Sequence, residues 1–214
     1  MPDGTDLFDI IHSTRAMRRL KPDPVPNALV RRILEAGQCA PNGSNAQRWR
    51  FMVVKDPAIK KAVQVWYKKA FDEVVGPHYR KAEPPPGMDR DRLQRQAAAA
   101  EHLTEHFHEA PVWIVLCIDH RGERAPGRMS GASIYPAAQN MLLAARALGL
   151  GATLTTRHLV HEKETEAALG LPQGVHSYAI LPIGYPMGNF GPVRRGPLAE
   201  IVYGDKWGEP YKGI

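Results

Sequence analysis

Apolar positions recur along this chain with two different periods. Where they fall three and four apart, a helix buries one face; where every position is apolar and β-branched, a strand is covered on both. Leu7, Ile10 and Ile11, behind Thr5 or Asp6 as a cap, predict a short helix ending near Ser13. Leu29, Ile33, Ala36 and Ala40 predict a second, with Asn27 as N-cap and Pro41 as its stop. "WRFMVVKD" reads as a strand, and Asp56 before Pro57 opens a helix running to about Tyr79. "PVWIVLCID" is apolar throughout 112–118 and predicts a central, doubly buried strand.

Further on, Ser130 or Ser133 is expected to open a helix whose Ile134, Ala137, Ala138, Met141, Leu142, Ala145 and Leu148 form a wide apolar arc, ended by Gly149. "GATLTT" is a short extended element, 162–169 a short helix closed by Gly170, and "HSYAILPIGYP" the last strand. Helices and strands intermix without strict alternation, which predicts one α+β or α/β domain over 1–214 with a mixed sheet. "KAEPPPGMD" breaks the polar helical stretch 68–108 into a pair, an excursion of the kind that often covers a site. The tail 187–214 holds too much Gly and Pro for a helix and too many aromatics for disorder, so it is expected to lie extended on a surface.

Composition narrows the classes. The chain has 214 residues, 43% of them hydrophobic, enough for one substantial core. Its 28 basic against 22 acidic residues give a net charge of +6, but no tract of like charges marks a nucleic-acid or membrane-surface partner, and neither is expected. Cys39 and Cys117 stand in apolar settings and form neither a disulfide framework nor a metal set. No signal-peptide pattern and no apolar run of about eighteen residues occurs, and the expected location is the cytoplasm.

Three arginine groups and one amide cluster carry the candidate chemistry. Arg15 with Arg18 and Arg19, Arg48 with Arg50, and Arg194 with Arg195 offer planar forks that suit a phosphate and never lose their charge. In "APNGSNAQRWRF", Asn42, Asn45 and Gln47 each offer a donor and an acceptor, the pattern that a heterocycle's edge requires. No P-loop, dinucleotide fingerprint or nucleophile elbow is present, and acid/base groups are sparse, which favours chemistry done by a bound cofactor. His102, His106 and His108 share a helical stretch, but nothing completes a metal pattern there and no metal is expected.

"STRAMRRLKPDPVP", "ILEAGQCAPNGSNAQRWRFMVV", "ALGLGATLTT", "LPIGYPMG" and "GPVRRGPLAEIV", in this order, resemble the FMN-dependent nitroreductase-like family over about residues 8–204. The resemblance implies a mostly antiparallel central sheet flanked by helices, in an intertwined homodimer with each flavin at the subunit interface. It implies hydride transfer from NADH or NADPH through flavin N5 to a planar nitroaromatic or quinone acceptor, by a ping-pong route without a protein nucleophile. Two alternatives stay open: a flavin-dependent enzyme of another activity on the same fold, a dehalogenase or flavin-consuming synthase, or a non-catalytic flavin or tetrapyrrole binder.

By the same resemblance, the first motif falls on Thr14 to Arg18. Arg15 and Ala16 would hold the phosphate and the pyrimidine edge, and Arg18 would stabilise negative charge on the reduced ring. Asn42, Asn45 and Gln47 would line the flavin and substrate pocket, Thr155 and Thr156 would run beside the ring, and Arg194 and Arg195 would reach the phosphate. Thr14 stands where the family usually has its first arginine, Asn42 where it has serine, and Arg48 where it has proline.

Overall fold

The computed structural model describes residues 6–85, 87–120 and 128–213. Its centre is a four-stranded sheet in the order β1-β2-β4-β3: β1 Trp49–Val54, β2 Val112–Asp119, β3 Gly151–Ala152 and β4 Val175–Gly184. Each pairing among the described residues is antiparallel, as the resemblance implied.

The side-chain alternation of β2 divides the core into two layers. Val112, Ile114, Leu116 and Ile118 point to one face, where α2 (Asn27–Gln38) and α6 (Arg128–Ala147) pack, with α1 (Leu7–Ser13) against α6. Trp113, Val115 and Cys117 point to the other, covered by α3 (Pro57–Ala70), α5 (Arg90–Glu105) and the residues after it, and α7 (Glu162–Leu169). Burial on both sides is why this strand has no polar position before Asp119 at its end, and it lifts the Cys117 thiol pKa to about 12.

The close approach of α2 to α6 requires a glycine. A Cβ at Gly37 would stand 2.2 Å from Met141 Cε, so α2 buries Val30, Ile33 and Gly37. That face is displaced from the expected one: Leu29 and Ala36 are only half-buried, because the smallest side chain, and not the largest, sets where two helices meet. Asn27 is the first helical residue and not the cap; Pro26 occupies that place, and Asn27 Oδ1 instead accepts from Lys55 Nζ at 2.6 Å. Asp6 and Asp56 do cap α1 and α3. The helix expected from Ser130 or Ser133 starts earlier, at Arg128, and both serines turn to tertiary partners.

The excursion continues α3 through a π-helical turn, Phe71–Val75, into α4 (Gly76–Lys81) and then into α5. Such turns widen a helix by one residue and frequently accompany functional sites. The tail is docked only in part. Met187 N–H donates to Arg19 O at 3.0 Å and Val193 N–H to His12 O at 2.8 Å, but Leu198, Ile201, Trp207 and Tyr211 are exposed, Trp207 at 89%. Leu7, Phe8 and Ile11 of α1 are exposed as well; only Ile10 of that helix is buried.

Candidate functional site

The predicted residues fall into two groups at opposite corners of the sheet. The amide group lies between α2 and β1, beside the sheet end where Trp49 pairs with Ile118 and Ile118 with His176. Ser44, Asn45 and Gln47 hold φ of 53°, 50° and 49°, left-handed values that side-chain-bearing residues seldom adopt and that cost energy. Local bonds fix the turn. Gln47 N–H donates to Asn42 Oδ1 at 2.9 Å, Gln47 Nε2 to Asn45 Oδ1 at 3.2 Å, and Gly43 N–H to Ser133 Oγ on α6 at 3.2 Å. Asn42, Gln47, Trp49, His120 and Ser133 line a cleft of about 340 Å³, so two of the three amides edge a cavity, while Asn45 does not line it.

The second group gathers where the stretch after α1 runs beside β3. Met17 N–H donates to Ala152 O at 2.9 Å and Lys21 N–H to Tyr185 O at 2.8 Å. Gly151 permits that approach, since a Cβ there would meet Leu20 at 2.9 Å and Met17 at 3.0 Å. With Met17 and Leu20 buried, Arg18 between them is half-buried. Arg15 is exposed and donates to Asn189 O at 2.9 Å, which joins it to the docked part of the tail; Arg194 and Arg195 follow, both exposed. Arg146 supports this junction, donating to Ser13 Oγ at 3.0 Å with its guanidinium 4.1 Å from the Phe190 ring.

Thr155 bridges to Ile180 in mid-strand and is buried, and its Oγ1 lies 2.9 Å from the Tyr67 hydroxyl. Ala16 and Thr156 are exposed. From His176 to Ile180 is four residues along β4, and the two groups occupy opposite sheet edges, so they stand roughly 20 Å apart by ordinary strand dimensions. They also lie toward different faces: Ser133 belongs to the α6 layer, Tyr67 to the α3 layer. One chain therefore brings Arg15, Arg18 and Thr155 to one corner and leaves Asn42, Asn45 and Gln47 at another.

Several residues with chemistry to offer were not singled out from the sequence. Arg157, next after Thr156, is half-buried with its guanidinium 4.5 Å from the Tyr67 ring and 4.9 Å from the Phe71 ring, and Nη1 donates to Thr104 Oγ1. Burial pulls its pKa below the ordinary guanidinium value, Tyr67 and Tyr79 oppose that, and Arg18 adds to it. Burial likewise raises the Tyr67 pKa, so its hydroxyl keeps the proton. A run Thr155-Thr156-Arg157 was visible in the sequence, but nothing in spacing alone separated this arginine from surface charge.

Histidines outside these corners have structural explanations. His158 is fully buried, and desolvation lowers its pKa to about 4. Its Nε2 lies 3.2 Å from Ser177 Oγ, which is 3.0 Å from Glu166 Oε1. A carboxylate only accepts, so Ser177 donates to Glu166 and His158 Nε2–H donates to Ser177. Glu166 also accepts from Ser177 N–H at 2.6 Å and pairs with His176, which accounts for the Glu162, Glu166 and His176 grouping. The His102 and His106 rings lie 4.3 Å apart at a tilt of 33°, with Glu109 3.0 Å from His106.

The Arg18 corner presents donors suited to an anionic, acceptor-rich planar ligand. Arg18 makes no hydrogen bond or ion pair among the described residues, and no carboxylate of those residues pairs with Arg157. The half-buried Arg18 guanidinium without counter-charge, on the stretch beside the hydroxyl-bearing Thr155 segment, fits the pyrimidine edge and negative charge of a flavin.

The comparisons agree with this fold. The chain matches the Nitroreductase family over residues 11–185, and it belongs to that family. It is 30% identical to an NADH dehydrogenase of Thermus thermophilus, over 88% of this chain and 90% of that one. Among solved structures, it resembles an iodotyrosine deiodinase bound to FMN and 3-iodo-L-tyrosine (TM-score 0.71, 24% identity, 94% of this chain and 99% of that one). It also resembles a nitroreductase with bound FMN from Desulfitobacterium hafniense (TM-score 0.68, 21% identity, 93% and 98%). No helix of the described residues is long and apolar enough to cross a membrane.

Proposed function

We propose that this chain is an FMN-dependent oxidoreductase that takes a hydride from NADH or NADPH and delivers it to a planar acceptor of nitroaromatic or quinone type. When bound, FMN supplies the ring that accepts and returns the hydride. The chain's own residues bind and orient. Arg15, Arg194 and Arg195 would take the phosphate, which their exposed position beside the docked tail allows. Ala16, Thr155 and Thr156 would border the ring, and Arg18 would stabilise negative charge at its pyrimidine edge.

The separation of the two corners supports a homodimer as the working unit. Asn42, Asn45 and Gln47 would then reach the ring from a second copy. The exposed apolar residues of α1 and of the tail give that copy a surface to cover.

The observation that carries the reading is the half-buried Arg18 guanidinium, which pairs with no carboxylate of the described residues, in a chain of this family. Addition of NADH or NADPH to the FMN-loaded protein without oxygen is expected to bleach its colour, and a nitroaromatic or quinone to restore it. A bound flavin that neither nicotinamide bleaches would contradict the oxidoreductase reading.

A further inference from the structure

Arg157 has a feature that flavin binding does not require. Its guanidinium lies against Tyr67 of α3, Phe71 of the π turn and Thr104 of α5, with Tyr79 of α4 near enough for its charge to bear on it. Thr104 is itself satisfied, its hydroxyl donating to Ala100 O at 2.8 Å while it accepts from Arg157. A guanidinium has five N–H donors, and this bond occupies one. Backbone N–H of Arg157 points to Thr155 Oγ1 at 3.4 Å, so the residue's main chain is tied to the ring-bordering segment while its side chain belongs to the excursion.

Two aromatic rings at 4.5 and 4.9 Å offset part of the desolvation of this cation and hold its plane fixed. Arg18 is near enough for its charge to bear on both Tyr67 and Arg157. Like charges raise each other's cost of burial, and an anion beside them would relieve it. A held planar fork with unused donors matches a carboxylate, which it can grip through two parallel bonds.

We propose that Arg157 forms a carboxylate-recognition subsite that selects planar aromatic acceptors bearing a carboxylate, of the benzoate type, over neutral ones. This rests on the flavoenzyme reading for what the aromatic ring is doing there. The fork and the two clamping rings make the selection, and Thr104 holds the fork in place. Arg157 is thus a specificity-determining residue of the excursion.

Calorimetric titration of the FMN-equilibrated protein with benzoate and with benzyl alcohol reads the subsite without turnover. Wild type is expected to prefer benzoate by roughly 10- to 100-fold, the worth of a charge-assisted pair. Arg157→Gln should bring that preference to within about twofold while flavin occupancy stays unchanged. Arg157→Lys keeps the charge without the fork, and should retain only a minor part of the preference; it also serves if the glutamine variant fails to fold.

Equal affinity for the two probes in flavin-loaded wild type, or an undiminished preference in both variants, overturns the subsite and leaves the flavoenzyme. Loss of FMN by both variants with the preference intact assigns Arg157 to the flavin and also overturns it. A protein that takes up no FMN but discriminates through Arg157 keeps the subsite and removes the flavin reading. Absence of both FMN and discrimination removes both.

Discussion

The amide turn at 42–47 and the arginine corner at Arg18, Thr155 and Arg157 are built in opposite ways. The turn is largely exposed, made from one short run of sequence, and held in left-handed backbone mostly by hydrogen bonds within that run, with one more to Ser133. The corner is assembled from four separate segments and founded on Tyr67, which is fully buried and stacked 3.9 Å from Phe107, itself 4.2 Å from Trp113. A binding surface of the first kind stores strain locally; one of the second kind draws rigidity from the core. Substitutions in the two regions should therefore divide between stability and binding in different proportions.

The largest contrast is expected from Tyr67→Ala, which removes a fully buried ring from the layer beneath the corner. It should cost roughly 3–5 kcal/mol in urea unfolding, whereas Asn42→Ala should cost about 1 kcal/mol for the bond to Gln47 N–H. Equal costs would break the comparison.

Acid should reach the corner's layer before the turn. Folded His158 has a pKa near 4 against an ordinary 6.5, so its neutral form is favoured in the fold. That contribution is fully present above pH 6.5 and is lost as pH falls toward 4, roughly 3 kcal/mol in all. Urea midpoints measured across that window should fall in wild type and fall less in His158→Gln; parallel curves would remove the assignment.

Arg194→Ala with Arg195→Ala should weaken FMN retention by roughly 1.5–3 kcal/mol for each lost charge-assisted bond, with unfolding almost unchanged because both are exposed. Dialysis followed by flavin quantification decides this, and full occupancy would contradict it. The smallest effect belongs to the turn itself. Ser44→Gly relieves a left-handed serine at φ 53° and should raise stability by about 1 kcal/mol; a loss of stability would show that the turn carries no strain.

The same contrast explains what could be read in the sequence. Capping and periodicity are local, and so Asp6, Asp56 and Gly170 mark their helix ends where expected. The doubly buried strand was legible because both of its faces demand apolar side chains. Asn27 misled because a good capping residue one position inside a helix found a lysine partner 28 residues away. The amide turn was legible as a motif, though its three left-handed residues were not, since only one of its neighbours is glycine and the strain is imposed by Asn42 and Ser133.

Arg157 and Tyr67 were not legible as site residues. Tyr67 occupies an ordinary core position of α3, and its bond to Thr155 spans 88 residues. Arg157 becomes distinctive only once the excursion folds over it. The distance between the two corners was equally invisible, because it follows from strand order and register and not from spacing along the chain.

The central claim is that two copies of this chain close their unlike corners around FMN, and one measurement bears on it most directly. Protein equilibrated with FMN and then desalted is passed through size-exclusion chromatography with light-scattering mass and visible absorbance recorded together. The account predicts a yellow species of twice the chain mass carrying one flavin per chain. A colourless eluate, or a yellow monomer that keeps its flavin, would contradict it.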